Sequence, residues 1–213
     1  MKKKLLIIIV VALIVVSIVL GVNIFLNHRE GRESQIMYKE FEGSSINPVE
    51  NPVITVIYDN NPYKEGLESS WGFSCLIKGA EKNILFDTGG NGLLFMKNMK
   101  KLEIDPDDID LVILSHIHGD HIGGLYSFLD ENNEVVVYIP GSFPESFKEN
   151  IEKYGTKAVK VKEPLELCKS VYSTGELGTW IREQSLIVQT NKGLIVITGC
   201  AHPGIVKIIS KAK

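Results

Sequence analysis

The chain has 213 residues, 44% of them hydrophobic and 23% charged, a balance that excludes a disordered or fibrous protein and gives enough length for one domain with a real core. Its 23 basic and 26 acidic residues leave a formal charge of -3, without the basic excess that binding a nucleic-acid backbone calls for, so no nucleic-acid partner is expected. Three cysteines, Cys75, Cys168 and Cys200, are too few and too widely spaced for a disulfide-dense scaffold.

Leu5 to Leu26 is uncharged throughout, with Ser17 and Asn23 its only polar members. As a helix it would extend roughly 30 Å, the thickness of a bilayer's hydrocarbon core. Lys2, Lys3 and Lys4 precede it, whereas Arg29, Glu30, Arg32 and Glu33 cancel after it, so residues 1–26 read as a cytoplasmic tip and a single-pass transmembrane anchor. The remainder is then extracytoplasmic at the cell membrane, or secreted if the segment is a cleaved signal peptide, although Val19-Leu20-Gly21-Val22-Asn23 is a poor cleavage site. Residues 27–52 lack a sustained period and read as a juxtamembrane linker, which leaves 53–213 for the domain.

Within that domain the β-branched run Val53 to Tyr58 predicts a strand, followed by Phe73 to Ile77 and Asn83 to Phe86. Leu93 to Lys101 suits a helix, Asp105 to Asp110 a turn or short helical segment, and Leu111 to Leu114 a buried strand. Val135 to Ile139 predicts a strand and Pro144 to Tyr154 a helix. Ala158 to Val161 and Val171 to Ser173 are weaker strand signals. Ser185 to Thr190 and Leu194 to Thr198 read as a hairpin about Asn191-Lys192-Gly193, before a last short helix that begins after Pro203-Gly204. Many strands with few helices, and no evident βαβ rhythm, argue for α+β or a two-sheet sandwich flanked by helices.

The chemistry concentrates in Ser115-His116-Ile117-His118-Gly119-Asp120-His121, directly after a predicted strand. Imidazole and carboxylate ligands suit Zn, Fe, Mn or Co, and the i, i+2 spacing puts His116 and His118 on one side of an extended segment. Asp120 and His121 would serve a second ion. Two such ions can share a hydroxide, lower its pKa and stabilise the attacking and leaving oxygens.

His116-Ile117-His118-Gly119-Asp120-His121, preceded by Leu114-Ser115 and followed by Ile122-Gly123-Gly124-Leu125, resembles the metal-binding signature of the metallo-β-lactamase fold superfamily. Phe86-Asp87-Thr88-Gly89 resembles that family's earlier strand-end motif. Tyr58-Asp59-Asn60, Gly72-Phe73-Ser74 and Gly199-Cys200-Ala201-His202-Pro203-Gly204-Ile205 look closest to its branch of archaeal pterin-related phosphate synthases and their bacterial relatives. The similarity runs from about Val53 to Ile209.

The resemblance implies a four-layer αββα sandwich in which His116 and His118 hold one metal and Asp120 and His121 a second. Asp87 would orient the metal loop, an N-cap or Asx turn being the bland alternative for it. His202 is the further histidine ligand implied, while Cys200 is a candidate thiolate ligand or plain packing, and Glu183 a candidate bridging carboxylate or surface residue. Asp59 and Asn60, at the end of the first strand, would line the mouth of the site or form an ordinary turn. Family members usually add another strand, a helix and a late histidine, so this chain, ending at Lys213, is expected to lack the last elements.

The implied function is a membrane-anchored hydrolase of a small-molecule ester, phosphoester, thioester or lactam. It would use hydroxide on one or two Zn ions, or Fe or Mn in their place, with Asp120 orienting the nucleophile. The alternative is a catalytically weakened metal- or ligand-binding domain.

Overall fold

The computed structural model describes residues 47–213. The predicted anchor at residues 5–26 lies outside the described residues, and among those described no helix is long and apolar enough to cross a membrane. Val49 lies within the linker as read from sequence, yet it is buried, donates its N–H to Gln189 O at 2.9 Å and bridges Thr190. The folded unit therefore takes in residues from Asn47 onward.

Two sheets form the centre. The first runs β1 (Val53–Tyr58), β2 (Ser74–Lys78), β3 (Ile84–Phe86), β4 (Leu111–Ile113), β5 (Val136–Pro140) and β6 (Lys157–Val161) in sequence order. The second contains β7 (Leu165–Cys168), β8 (Val171–Ser173), β9 (Leu186–Thr190) and β10 (Gly193–Ile197), all antiparallel. The helices are α1 (Gly92–Lys101), α2 (Gly119–Ile122), α3 (Leu125–Leu129), α4 (Glu145–Glu152) and α5 (Ile205–Ala212), with a 3-10 turn at Pro106–Asp108.

Alternation along the short central strands sorts their side chains onto two faces. Leu85, Val112 and Val137 join Phe95 and Met99 of α1, Leu125 and Phe128 of α3 and Ile151 of α4 in the core between helices and first sheet. Ile84, Phe86, Leu111 and Ile113 instead meet Val171, Leu186, Val188 and Ile197 in the core between the sheets. Covered on both faces, β3 and β4 are apolar at every position, as a central strand must be. On the far side α5 buries Ile208 while Ile205, Val206 and Ile209 remain exposed.

One feature of the first sheet differs from the sequence expectation. The strands β3, β4, β5 and β6 are mutually parallel and joined by crossovers carrying helices, so the βαβ rhythm is present. Strands of three residues at β3 and β4 give too short an apolar run to reveal it. β7 also escaped prediction, because two of its four residues, Leu165 and Glu166, are exposed and its apolar pattern is weak.

The register Ile84↔Leu111, Leu85↔Val112 and Phe86↔Ile113 brings the carboxyl ends of β3 and β4 level. The residues that follow each strand, Asp87 on one and Leu114 to His116 on the other, are thereby delivered to one edge of the sheet. Loops at the carboxyl ends of parallel strands are the usual place for a ligand site.

Candidate metal centre

Asp87 is fully buried and sits at φ 56°, a left-handed conformation uncommon outside glycine. Its N–H donates to Ile113 O at 2.9 Å, which anchors the turn to β4. The carboxylate accepts three hydrogen bonds, from Ser115 N at 2.6 Å, Ser115 Oγ at 2.7 Å and His121 Nδ1 at 2.7 Å. The helix-cap alternative for Asp87 falls to Asn91, whose side chain accepts from Leu94 N and begins α1.

These bonds fix two imidazole tautomers. The Ser115 hydroxyl has a single proton and donates it to Asp87, so toward His116 Nδ1, 2.9 Å away, Ser115 Oγ acts as acceptor. His116 thus has Nδ1–H and a lone pair on Nε2. His121 donates Nδ1–H to Asp87 directly, so Nε2 is the nitrogen left for a metal, which must displace any proton held there. One carboxylate prepares both histidines as ligands.

His118 precedes α2 and begins it with extended backbone (φ -68°, ψ 142°), so its ring leaves the chain beside His116. Their facing atoms, His116 Nε2 and His118 Nδ1, are 3.1 Å apart. His202 completes the group, its ring 4.7 Å from that of His116 and 4.8 Å from that of His118, centroid to centroid. One ligand atom from each of these three histidines lies within 4.8 Å of the others. Four-coordinate zinc at about 2.1 Å from nitrogen sets neighbouring donors about 3.4 Å apart, so the three imidazoles suit such an ion after small side-chain adjustments.

A second group of the same compactness contains His116, His121 and Cys200. Cys200 Sγ lies 3.2 Å from His121 Nε2. Asp120, the predicted catalytic carboxylate, is adjacent: its Oδ2 is 3.5 Å from His121 Nε2, outside both compact groups.

Glu183 is placed otherwise than a bridging or surface carboxylate. It is fully buried, and its oxygens accept from Thr198 Oγ1 at 2.7 Å, Ala201 N at 3.1 Å and His202 N at 2.9 Å. Glu183 thus grips the loop that carries His202 and Cys200, with Ala201 at φ 57° between them. Neighbouring Gln184 donates Nε2 to Leu114 O at 2.9 Å and accepts from Ser173 Oγ at 2.7 Å, tying the second sheet to the end of β4. Gly199 passes so close that an added Cβ would lie 2.3 Å from Ser115 Oγ and 3.1 Å from His116 Nδ1. Ser115, Gln184 and Gly199 carry no ligand chemistry, and only their contacts across the fold reveal their part.

The outer strand end contributes less directly. Asn60 Oδ1 accepts from Gly72 N at 2.7 Å, and Phe73 N donates to Asp120 O at 3.3 Å, so the loop that Asp59 and Asn60 begin leans on the backbone of the metal loop. Thr88 reinforces it, donating N and Oγ1 to His121 O at 2.8 and 3.1 Å. Cys75 is buried core, as read from the sequence, and among the described residues all three cysteines are free.

Burial and the neighbouring imidazoles of His121, His118 and His202 push the His116 pKa down to about 3, leaving it neutral and ready to ligate near neutral pH. Burial opposes protonation of His121 too, but the hydrogen bond and charge of Asp87, with Asp120 and Glu183, outweigh it and hold its pKa above the ordinary value. The Cys200 thiol is pushed up by burial and by the carboxylates of Asp120, Glu183 and Asp87, so it is a thiol until a cation arrives.

Comparison with known proteins agrees with this architecture. Residues 72–210 match the Metallo-beta-lactamase superfamily profile, and the chain belongs to that superfamily. Among characterised relatives it is 31% identical, over 217 aligned positions, to the 7,8-dihydropterin-6-methyl-4-(beta-D-ribofuranosyl)-aminobenzene-5'-phosphate synthase of Methanocaldococcus jannaschii, covering 79% of this chain and 74% of that one. Among solved structures, the metallo-beta-lactamase fold protein YhfI of Bacillus subtilis superposes with a TM-score of 0.51 at 20% identity over 68% of this chain and 61% of YhfI. The short form of human tRNase Z gives 0.50 at 16% identity over 70% of this chain and 69% of that structure. Similarity at these identities establishes the fold.

Two outcomes follow from the site's wiring. Asp87→Asn should weaken divalent-metal binding by about 10- to 100-fold in a chelator-competition titration, whereas Asp59→Asn at the exposed strand end should leave it unchanged. Equal affinities for native and Asp87→Asn would contradict the orienting role.

The second outcome concerns acid. Between pH about 3 and 6.5 unfolded His116 binds a proton that the folded chain refuses, so its contribution to stability is present above that window and is lost as pH falls through it. Denaturant unfolding of chelator-treated native chain, compared with His116→Gln, should show native gaining by up to about tenfold per pH unit in folding constant across that window. Parallel pH profiles would contradict the depressed pKa.

Proposed function

We propose that the protein is a divalent-metal-dependent hydrolase whose centre is held by His116, His118 and His202, with Asp120 and His121 at an adjoining position. The convergence of three imidazoles at one sheet edge carries this reading. A divalent ion there would polarise a substrate oxygen and acidify a coordinated water.

The chain's own groups supply the rest. Asp87 and Ser115 keep the His116 lone pair on Nε2, and Glu183 holds the His202 loop against the cluster. The Asp120 carboxylate, beside His121, is the group to accept a proton from attacking water and to orient it. A cavity of about 220 Å³ opens next to His202, lined by Gly178, Thr179, Trp180, Ile181, Pro203 and Lys207. Its size suits part of a small molecule, and Lys207 offers a cation to an anionic substituent.

The proposed substrate is a small ester, phosphoester, thioester or lactam. The phosphate-synthase relative supports a phosphate-bearing substrate. Zinc is the proposed ion, with iron or manganese as alternatives. The described domain is proposed to stand outside the cytoplasm on the anchor at residues 5–26.

The test uses the detergent-extracted full chain, with recovery from the membrane fraction expected. Metal content by elemental analysis and turnover of a panel of phosphoesters, esters, thioesters and lactams are measured before and after chelation. The reading requires bound metal, turnover abolished by chelation and restored by Zn, and at least about a 100-fold loss in His116→Ala. Bound metal without turnover favours the alternative, a metal-binding domain with weakened catalysis. A folded chain that binds no metal contradicts both.

A further inference from the structure

We propose that Trp180 is a ligand-contacting residue, held at the tip of a braced hairpin loop, that binds the apolar body of a small organic anion whose charged end lies between Lys207 and the metal centre. The inference rests on the hydrolase reading above and specifies the kind of substrate that site takes.

Trp180 is 95% exposed. An indole is among the largest apolar surfaces a chain carries and is usually well covered, so this exposure calls for a partner or for a loop that can fold the ring away. The loop is braced against folding away. Leu177 and Glu183 exchange backbone hydrogen bonds of 2.9 and 3.0 Å that close its foot. Gly178 turns there at φ 97°, where an added Cβ would lie 2.7 Å from Ile181 O. Arg182 pairs at 3.4 Å with Glu176, whose side chain is 5% exposed and also accepts from Ser142 N at 3.1 Å, which ties the loop to the turn after β5.

The foot of this loop is also a support of the metal centre. Glu183 accepts from Ala201 N and His202 N, so one residue sets the position of the indole-bearing loop against the His202 ligand. Trp180, Ile181 and Pro203 consequently meet His202 in the walls of one cavity of about 220 Å³. No carboxylate lines that cavity, and Lys207, in the first turn of α5, brings a positive charge to it.

An apolar wall, a cation and metal-binding imidazoles around one small volume complement an anion with a hydrocarbon body of one ring or a short alkyl chain. They match a bare phosphate or a sugar poorly, since neither covers the indole. Each methylene removed from water favours binding by a factor of about four, so covering Trp180 gives selectivity that the metal and Lys207, which see only the charged end, do not supply.

The probes are methylphosphonate and n-hexylphosphonate, which share a non-hydrolysable anionic head, measured by isothermal titration calorimetry and tryptophan emission on the zinc-loaded full chain. The chain has two tryptophans, so Trp71→Phe leaves Trp180 as the sole reporter. Hexylphosphonate should bind at least about tenfold more tightly than methylphosphonate and shift the Trp180 emission. In Trp180→Ala, checked for folding by circular dichroism, this preference should fall to about twofold or less while methylphosphonate affinity is kept. Trp180→Phe should retain most of the preference, and Lys207→Met should weaken both probes alike. Equal affinities in native chain, no binding of either probe, or a preference unchanged in Trp180→Ala overturn the role of Trp180 and leave zinc uptake by the histidines standing. A hexyl preference that depends on Trp180 in a chain that takes up no zinc keeps that role and overturns the metal centre.

Discussion

The buried carboxylate of Asp87 is the interaction on which the candidate centre depends. Placing a carboxylate at zero exposure is costly unless its oxygens are satisfied, and here three donors from two residues converge on it. Those same bonds determine which nitrogen of His116 and which of His121 is free. The compensation of one buried charge and the preparation of two ligands are a single arrangement. It is also strained, since Asp87 stands at φ 56°, and the strain is held by the hydrogen bond from Asp87 N to Ile113 O on the neighbouring parallel strand.

The fold makes that arrangement possible by stacking two cores. Helices cover one face of the first sheet and the second sheet covers the other, so β3 and β4 can be short, wholly apolar and rigidly in register. Their level carboxyl ends set Asp87 beside Ser115. The second sheet supplies the opposing half: Glu183 and Gln184, just before β9, grip the His202 loop on one side and the end of β4 on the other. His202 joins His116 and His118 because of contacts spanning more than 60 residues of sequence, formed only when the sheets are packed.

Much of this was legible in the chain because ligand chemistry is local. Three histidines and an aspartate within six residues after an apolar strand declare a metal loop, and His202, as the remaining histidine of the domain, was the natural partner. Most strands and helices were legible too, from β-branched runs and turn residues. The supports were not. Ser115 reads as a small residue beside the motif until its hydroxyl is seen between Asp87 and His116. Glu183 reads as a surface carboxylate, since the three donors that bury it lie 15 to 19 residues downstream. The parallel half of the first sheet was hidden by strands too short for a periodic signal, and β7 by its exposed edge.

The most direct measurement is a long-range proton–nitrogen correlation spectrum of the histidine rings in zinc-loaded full chain, with His116 and His121 assigned by substitution. The account predicts that both rings carry the proton on Nδ1 and that Nε2 shows the shift of a metallated nitrogen. A proton on Nε2 of either ring, or metal on Nδ1 of His116, would contradict the claim that Asp87 sets the chemistry of the site.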